Sequence, residues 1–191
     1  MLYFDIAIVV GELVGLVLAS IENGWGQFIL YTKLSNYFLL ATTMAHLYYL
    51  LKKEPVPKAV NRVKYIATCT TTVTFVVAVA VLLPMYKRPY ITFLNGANLF
   101  QHTICPILAI ATLLFMDPVE KRDSWLALIP TGLYALVTVP LNYFRVLDGP
   151  YPFLRVHNQP WYMSILWLVA ISLLSIGIAV LLRKICGKRA K

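Results

Sequence analysis

Six long apolar stretches constrain the fold of this chain more than any other feature of its sequence. They lie near residues 3–21, 26–51, 63–86, 92–115, 124–146 and 161–183. A helix of about 20 apolar residues is long enough to cross the hydrocarbon core of a bilayer. Because 60% of the 191 residues are hydrophobic and only 13% are charged, a soluble domain would not bury this apolar surface. We therefore predict an all-α, polytopic membrane protein in which residues 1–191 form a single bundle of six transmembrane helices.

The connectors between these stretches are too short to hold a soluble domain. The N-terminal stretch has no charged region before it and no small-residue cleavage site, so we interpret it as a first span and not as a removable signal. Three cysteines, Cys69, Cys105 and Cys186, show no paired spacing and are predicted to be small buried thiols.

The basic residues indicate how the bundle is oriented. Twelve of the 17 Lys and Arg lie in the segments 52–64 and 116–123 and in the tail after Leu182. Only four lie in the connectors of the opposite side, and Lys33 lies within a span. The positive-inside rule therefore predicts that the N and C termini are both cytoplasmic. These loops account for the net charge of +9, and they match no nucleic-acid-binding motif, so no nucleic-acid partner is predicted.

Polar side chains recur at helical spacing on three of the spans, although polar groups are costly in lipid. Steps of three, four or seven residues place the members of each set on one helix face. The sets are Thr32, Asn36, Thr43 and His46 on span 2; Asn95, Asn98, His102 and Cys105 on span 4; and Thr131, Tyr134, Thr138, Asn142 and Arg145 on span 5. Lipid cannot satisfy these faces, so we predict that they turn inward around a polar central cavity. Hydrogen bonding between packed helices is the alternative explanation.

Two of these residues, Thr32 and His102, are predicted to meet in the outer half of the bundle. At 1.5 Å per residue, Thr32 lies about 9 Å past Gly26 and His102 about 15 Å past Thr92. Pro106 follows His102 by four residues and has no N–H, so the His102 carbonyl loses its helical donor and a kink is expected. A freed carbonyl beside an imidazole favours a polar pocket. The alternative is a kinked helix whose histidine only bonds a neighbouring group.

Two charged residues lie within the first two spans. Antiparallel packing of these spans brings Glu12 and Lys33 to about the same depth, and we predict a structural ion pair between them. An electrostatic role for Lys33 at a functional site is the alternative. Asp5 is expected near the solvated inner boundary, and no role is assigned to His46 or His157. Hydroxyls of the run 68-TCTTTVT-74 are expected to bond carbonyls of their own helix.

A hydroxyl and an imidazole on facing helices can form a nucleophile and its general base for attack on an ester carbonyl. Neighbouring polar side chains would bind substrate, stabilise the oxyanion or orient the histidine, and the candidates are Asn36, Asn98, Asn142 and Tyr134. The sequence has no G-x-S-x-G elbow, which excludes an ordinary α/β-hydrolase, and no H-E-x-x-H. Three scattered histidines disfavour a zinc site, so no metal or cofactor is predicted.

Three short motifs, in order along nearly the whole chain, carry a resemblance to a known family. They are 31-YTKLSN-36 in span 2, 102-HTICP-106 in span 4 and 150-PYPFLRV-156 before the last span. The chain resembles the androgen-induced protein family of six-span intramembrane threonine hydrolases and its bacterial relatives. The stretch 157-HNQPWY-162 does not correspond to a motif of that family.

The resemblance implies that the chain hydrolyses a lipid ester, since characterised members cleave fatty acid esters of hydroxy fatty acids. It also implies that Thr32 is the nucleophile and His102 the base. The expected partner is a membrane lipid or a fatty acyl ester, and the resemblance does not identify which one. A related membrane acyltransferase, which transfers the acyl group to an acceptor other than water, is one alternative. A non-enzymatic lipid-binding or transport protein is another, and polar helix packing alone is a third. The resemblance to bacterial relatives points to a bacterial plasma membrane.

Overall fold

The computed structural model describes residues 1–188, and this part of the chain is entirely helical, without a strand. Six long helices follow one another, joined by short connectors that contain 3₁₀ turns. They are α1 (Leu2–Asn23), α2 (Tyr31–Lys52), α3 (Lys58–Tyr86), α4 (Gly96–Leu113), α5 (Lys121–Tyr143) and α6 (Trp161–Ile185).

Five of these helices, α1 and α3 to α6, are long and apolar enough to cross a membrane, as expected of a multi-pass membrane protein. The remaining helix, α2, has 22 residues but carries more polar side chains and does not reach the same hydropathy. The predicted second span therefore exists as a helix, beginning at Tyr31 and not at residue 26, because Gly24–Ile29 forms a 3₁₀ turn.

Helix α3 lies at the centre of the bundle and packs against α2, α4 and α6, while α1 packs against α2 and α4. Two apolar clusters fill the contacts, one around Tyr65, Leu113 and Leu182 and the other around Ile8 and Leu39. Helices α5 and α6 lie at the edge and expose many large apolar side chains. A surface of this kind suits lipid and would be unfavourable in water.

Two helices depart from α geometry just before a proline. Segment Ala78–Leu82 of α3 and segment Leu99–Ile104 of α4 are π-helical, and Pro84 and Pro106 follow two residues later. A proline has no N–H for the carbonyl four residues back, so the preceding turn is free to widen. A π turn that contains His102 therefore lies where the sequence predicted a kink.

The threonine run on α3 behaves as predicted. The hydroxyls of its five threonines donate to carbonyls three or four residues earlier, and these residues are Thr68, Thr70, Thr71, Thr72 and Thr74. The three cysteines are buried and free, as also predicted.

The N-terminal boundary of α3 differs from the sequence prediction. Helix α3 begins at Lys58, so the connector after α2 is shorter than the predicted loop of residues 52–64. Lys64, which was counted among the loop charges, is instead fully buried within α3. Without Lys64, the loops on that side still carry more Lys and Arg than the loops on the opposite side.

Candidate functional site

Thr32 lies in the first turn of α2, and its hydrogen bonds go to a tyrosine in the connector between α5 and α6. The phenol oxygen of Tyr151 is 3.1 Å from the Thr32 backbone N–H and also 3.1 Å from Thr32 Oγ1. The first N–H groups of an α-helix have no acceptor within the helix, and the phenol satisfies one of them. Both side chains are buried.

The Thr32 hydroxyl differs from those of most buried threonines in the chain, which bond a carbonyl of their own helix. Thr42, Thr112 and Thr138 follow that common pattern, as do the five threonines of α3. Within residues 1–188, the hydroxyl of Thr32 makes no hydrogen bond to a backbone carbonyl and contacts another hydroxyl instead. Tyr151 therefore holds this hydroxyl in place, and the hydroxyl oxygen is not engaged with a backbone carbonyl.

Thr32 and Tyr151 both line a cavity of about 410 Å³ between α2, α3, α5 and α6. The rest of its wall is mainly apolar and includes Val77, Leu128, Phe153 and Trp167. The prediction of a polar central cavity is therefore wrong, because the lining of this cavity is mainly apolar. The hydrogen bonds of the predicted polar faces go mostly to backbone groups and not from one face to another, and apolar side chains surround the open space.

A second cavity of about 460 Å³ shares two tyrosine rings with the first. The rings of Tyr31 and Tyr134 have centroids 5.0 Å apart and border both cavities. The Tyr134 hydroxyl donates to the Ile29 carbonyl at 2.8 Å, and Tyr31 bonds Thr131 at 2.7 Å. Tyr134 is thus a wall residue of the site, and its hydroxyl is directed at the chain just before α2.

His102 lies in the π turn of α4, almost fully buried, and its Nδ1 has no hydrogen-bond partner in the described chain. The ring of Phe93 packs edge-on against the imidazole, with centroids 5.3 Å apart. His102 does not border the cavity that Thr32 lines, and within residues 1–188 no hydrogen bond joins the two side chains.

A single hydrogen bond nevertheless joins the segments that carry these two residues. Lys33 Nζ donates to Gln101 Oε1 at 2.6 Å, and both side chains are buried. Lys33 follows Thr32 in sequence and Gln101 precedes His102, so the bond fixes the start of α2 against the π turn of α4.

The predicted ion pair between Glu12 and Lys33 is not formed. No contact between their charged atoms falls within 4.0 Å among residues 1–188, and both carboxylate oxygens of Glu12 lack a hydrogen-bond partner. The reason is that Gln101 lies nearer to the lysine and takes its ammonium group. We refer to Glu12, Lys33, Gln101 and His102 as the Lys33 cluster.

Two glycines of α1 allow the π turn of α4 to approach closely. A Cβ at Gly11 would lie 2.8 Å from Cys105 Sγ, and a Cβ at Gly15 would lie 2.9 Å from Gln101 Cγ. Small residues four apart are a common means of close helix packing in membranes. Gly11 and Gly15 therefore help to set the position of Gln101 and of His102 beside it.

The three predicted amides occupy different settings. Asn36 lies one turn beyond Thr32 and donates to the Thr32 carbonyl at 2.7 Å, while its own Oδ1 is unpartnered. Asn142 is not directed at Thr32, because its side chain binds the connector. Its Nδ2 donates to the Leu147 carbonyl at 3.0 Å, and its Oδ1 accepts from the Val156 N–H at 2.8 Å. Asn98 makes only a long contact of 3.5 Å with the Thr92 carbonyl.

A second buried polar group, which sequence reasoning missed, lies at the other end of the bundle. Asp5 Oδ2 is 2.6 Å from His46 Nδ1, and Lys64 pairs with the other oxygen of the same carboxylate. All three side chains are fully buried, and we call them the charged triad. Each lies three to six residues from the end of its helix on that side. That shared depth could have predicted the contact between these side chains, but the sequence prediction assigned Lys64 to a loop.

The chemistry available at Thr32 is that of a hydroxyl held by a phenol beside an apolar cavity, at the positive end of a helix. Within residues 1–188 no group of three His, Cys, Asp or Glu side chains is placed to hold a metal ion. Comparison of the chain with protein-family models, curated proteins and solved structures finds no match.

Proposed function

We propose that the protein is an intramembrane hydrolase that cleaves a fatty acyl ester, with Thr32 as nucleophile and His102 as general base. The observation that carries this proposal is the Thr32 hydroxyl, which lines an apolar cavity and is not bonded to the backbone. Helix hydroxyls usually bond a nearby carbonyl, as the threonines of α3 do. A hydroxyl kept out of that bond is available for reaction.

The cavity supports an acyl chain as the bound group. A hydrocarbon chain needs an apolar enclosure, and the wall offers aromatic and aliphatic side chains with few polar groups. Thr32 contributes one of those few, so a carbonyl at the end of the chain would lie beside its hydroxyl.

In the first half of the proposed reaction, Thr32 Oγ1 forms a bond to the ester carbonyl carbon while its proton passes to His102. The bond between that carbon and the alcohol oxygen then breaks, and His102 returns the proton to the departing alcohol. Catalytic hydrogen bonds often form only in the substrate complex. The proposal therefore requires the unpartnered His102 imidazole to close on Thr32 when substrate binds.

In the second half, water takes the place of the alcohol. Its oxygen bonds the acyl carbon, one of its protons passes to His102, and the bond to Thr32 Oγ1 breaks. The threonine recovers the proton and the fatty acid leaves. Negative charge on the carbonyl oxygen would lie near the first N–H groups of α2, where the helix dipole stabilises an anion.

The proposal extends to the setting of the enzyme. We infer that α2 is a sixth span, that both termini are cytoplasmic and that the host membrane is a bacterial plasma membrane. Membership of the androgen-induced protein family is part of the same proposal. The three motifs that resemble that family contain Thr32, His102 and Tyr151, which are now placed in helices α2 and α4 and in the last connector.

Non-enzymatic lipid binding is the second candidate, and one observation favours it: His102 makes no hydrogen bond with Thr32, while the cavity is mainly apolar. Transfer of the acyl group to an acceptor other than water would use the same first half-reaction. Product analysis with and without an added alcohol distinguishes transfer from hydrolysis.

A fluorophosphonate probe tests the enzyme proposal on purified protein in lipid nanodiscs. We expect the wild type to be labelled and to release fatty acid from a p-nitrophenyl ester, and Thr32→Ala to do neither. Thr42→Ala is the matched control, because this buried hydroxyl on the same helix bonds the Leu39 carbonyl. His102→Ala should label slowly and lose turnover. Equal labelling of the wild type and Thr32→Ala would exclude Thr32 as the nucleophile.

A further inference from the structure

Tyr151 makes two contacts with Thr32, and hydrogen-bond chemistry fixes the direction of the first. The Thr32 backbone N–H can only donate, so the phenol oxygen accepts from it at 3.1 Å. The phenol has one hydrogen, and Thr32 Oγ1 lies 3.1 Å away. When that hydrogen points at Oγ1, the hydrogen of the Thr32 hydroxyl itself remains free for a base.

We propose that Tyr151 is a catalytic residue: its phenol positions Thr32 Oγ1 and donates a hydrogen bond to that oxygen as it loses its proton. This inference rests on the function proposed above, since it concerns the same nucleophile. The phenol keeps its own proton throughout. Its contribution is to stabilise the charge that develops on Oγ1 before the bond to the acyl carbon is complete.

The phenol is held in place by packing as well as by hydrogen bonds. The ring of Tyr151 stacks on Phe153 with centroids 5.3 Å apart and planes 9° apart. Asn142 fixes the connector on both sides of it through Leu147 and Val156. A donor that is already oriented loses little freedom in the reaction, which is the condition for a large catalytic effect.

The surroundings of Tyr151 also suit a donor better than a base. The residue belongs to the connector between α5 and α6, and burial raises the pKa of its phenol above the ordinary value. The phenol is therefore protonated at neutral pH. It can give a hydrogen bond to a developing alkoxide but cannot remove the proton from Thr32, which leaves that role to His102.

Tyr151→Phe removes the hydroxyl and keeps the ring that packs in the cavity wall. We expect kcat to fall by about 100-fold, as for loss of one preorganised donor, with KM changed less than threefold. The rate of fluorophosphonate labelling should fall in parallel. Tyr65→Phe is the control, because its phenol is also buried but bonds the Ala179 carbonyl in another part of the bundle.

A second measurement separates catalysis from structure. Fluorotyrosines incorporated at position 151 keep the ring and the hydroxyl but change the acidity of the phenol. We expect the labelling rate to change with that acidity while the thermal midpoint stays constant. If the hydrogen bond were only structural, the thermal midpoint would change with acidity, or both the midpoint and the labelling rate would stay constant.

The outcomes distinguish this inference from the function on which it rests. If Thr32→Ala is inactive while Tyr151→Phe keeps kcat within threefold of wild type, the role of Tyr151 is wrong and the hydrolase stands. A labelling rate that does not respond to fluorotyrosine also overturns it. If Thr32→Ala retains labelling and turnover, the proposed function itself fails.

Discussion

The charged triad and the Lys33 cluster are both buried among the first four helices, yet they differ in how far their polar atoms are satisfied. In the triad, Asp5 lies between His46 and Lys64, and His46 Nε2 is the only side-chain atom of the three without a partner among residues 1–188. In the Lys33 cluster, both oxygens of Glu12, Nε2 of Gln101 and Nδ1 of His102 lack one.

We infer from this difference that the triad stabilises the fold and that the Lys33 cluster serves the proposed function. Buried polar groups are almost always hydrogen-bonded, because an unpaired group in a low-dielectric interior costs free energy. The triad follows that rule and ties α1, α2 and α3 together. The Lys33 cluster departs from it next to the proposed nucleophile, as functional sites often do.

The strongest test compares two isosteric changes, Asp5→Asn and Glu12→Gln. The first leaves the buried Lys64 without its anion and should lower the free energy of unfolding by about 3 kcal/mol. The second removes a carboxylate that has no partner and should change it by less than about 1 kcal/mol. Titration with SDS in mixed micelles measures both. Equal losses would mean that the two clusters stabilise the fold alike.

The next test concerns the close packing that positions His102. Gly15→Ala places a Cβ against Gln101 and should lower the free energy of unfolding by about 1–3 kcal/mol, and turnover with it. Gly177→Ala on α6 is the control, since no atom lies within 4 Å of its new Cβ and a helical alanine is favourable. Unchanged turnover in Gly15→Ala would show that the position of the π turn is not critical.

A smaller effect is expected for the bond that joins α2 to the π turn. A double-mutant cycle of Lys33→Met and Gln101→Leu should give a coupling free energy of about 1–2 kcal/mol. The parallel cycle with Glu12→Gln and Lys33→Met should give a smaller coupling, because these two side chains interact only at a distance and make no direct contact. If Lys33 were coupled to Glu12 and not to Gln101, the ion pair predicted from the sequence would be correct.

The smallest effect is expected at Thr43, which lies in α2 between the two clusters. Its buried hydroxyl has no hydrogen-bond partner in the described part of the chain, so Thr43→Val should leave stability unchanged or slightly higher. Thr42→Val, which removes a hydroxyl bonded to Leu39, is the neighbouring comparison. A clear loss of stability in Thr43→Val would reveal a partner for that hydroxyl.

Much of the fold followed from the sequence because hydropathy and helix length act locally. The boundaries of α1 and α6 fall within two residues of the prediction, and the π turn appears where Pro106 removes a donor. Helix α2 was harder to delimit, because Gly24 and Gly26 allow a 3₁₀ turn that apolar pattern alone does not reveal.

The site was less predictable because it depends on which groups meet across the bundle. The identity of Thr32 as a candidate came from its place on a polar face, but its partner Tyr151 lies 119 residues away. Likewise, depth suggested that Glu12 would pair with Lys33, whereas the close approach permitted by Gly15 brings Gln101 to the lysine first. Contacts of this kind are fixed by packing, which helical spacing does not encode.

The polarity of α2 has a consequence for how the protein is made. Unlike its five neighbours, this helix is not apolar enough to qualify as a membrane span, and Lys33 and His46 would be costly in lipid without their partners. We therefore expect α2 to enter the bilayer together with α1 and α3, and not as an independent segment released from the insertion machinery. The buried polar groups of α2 would thus also set the order in which the chain is assembled.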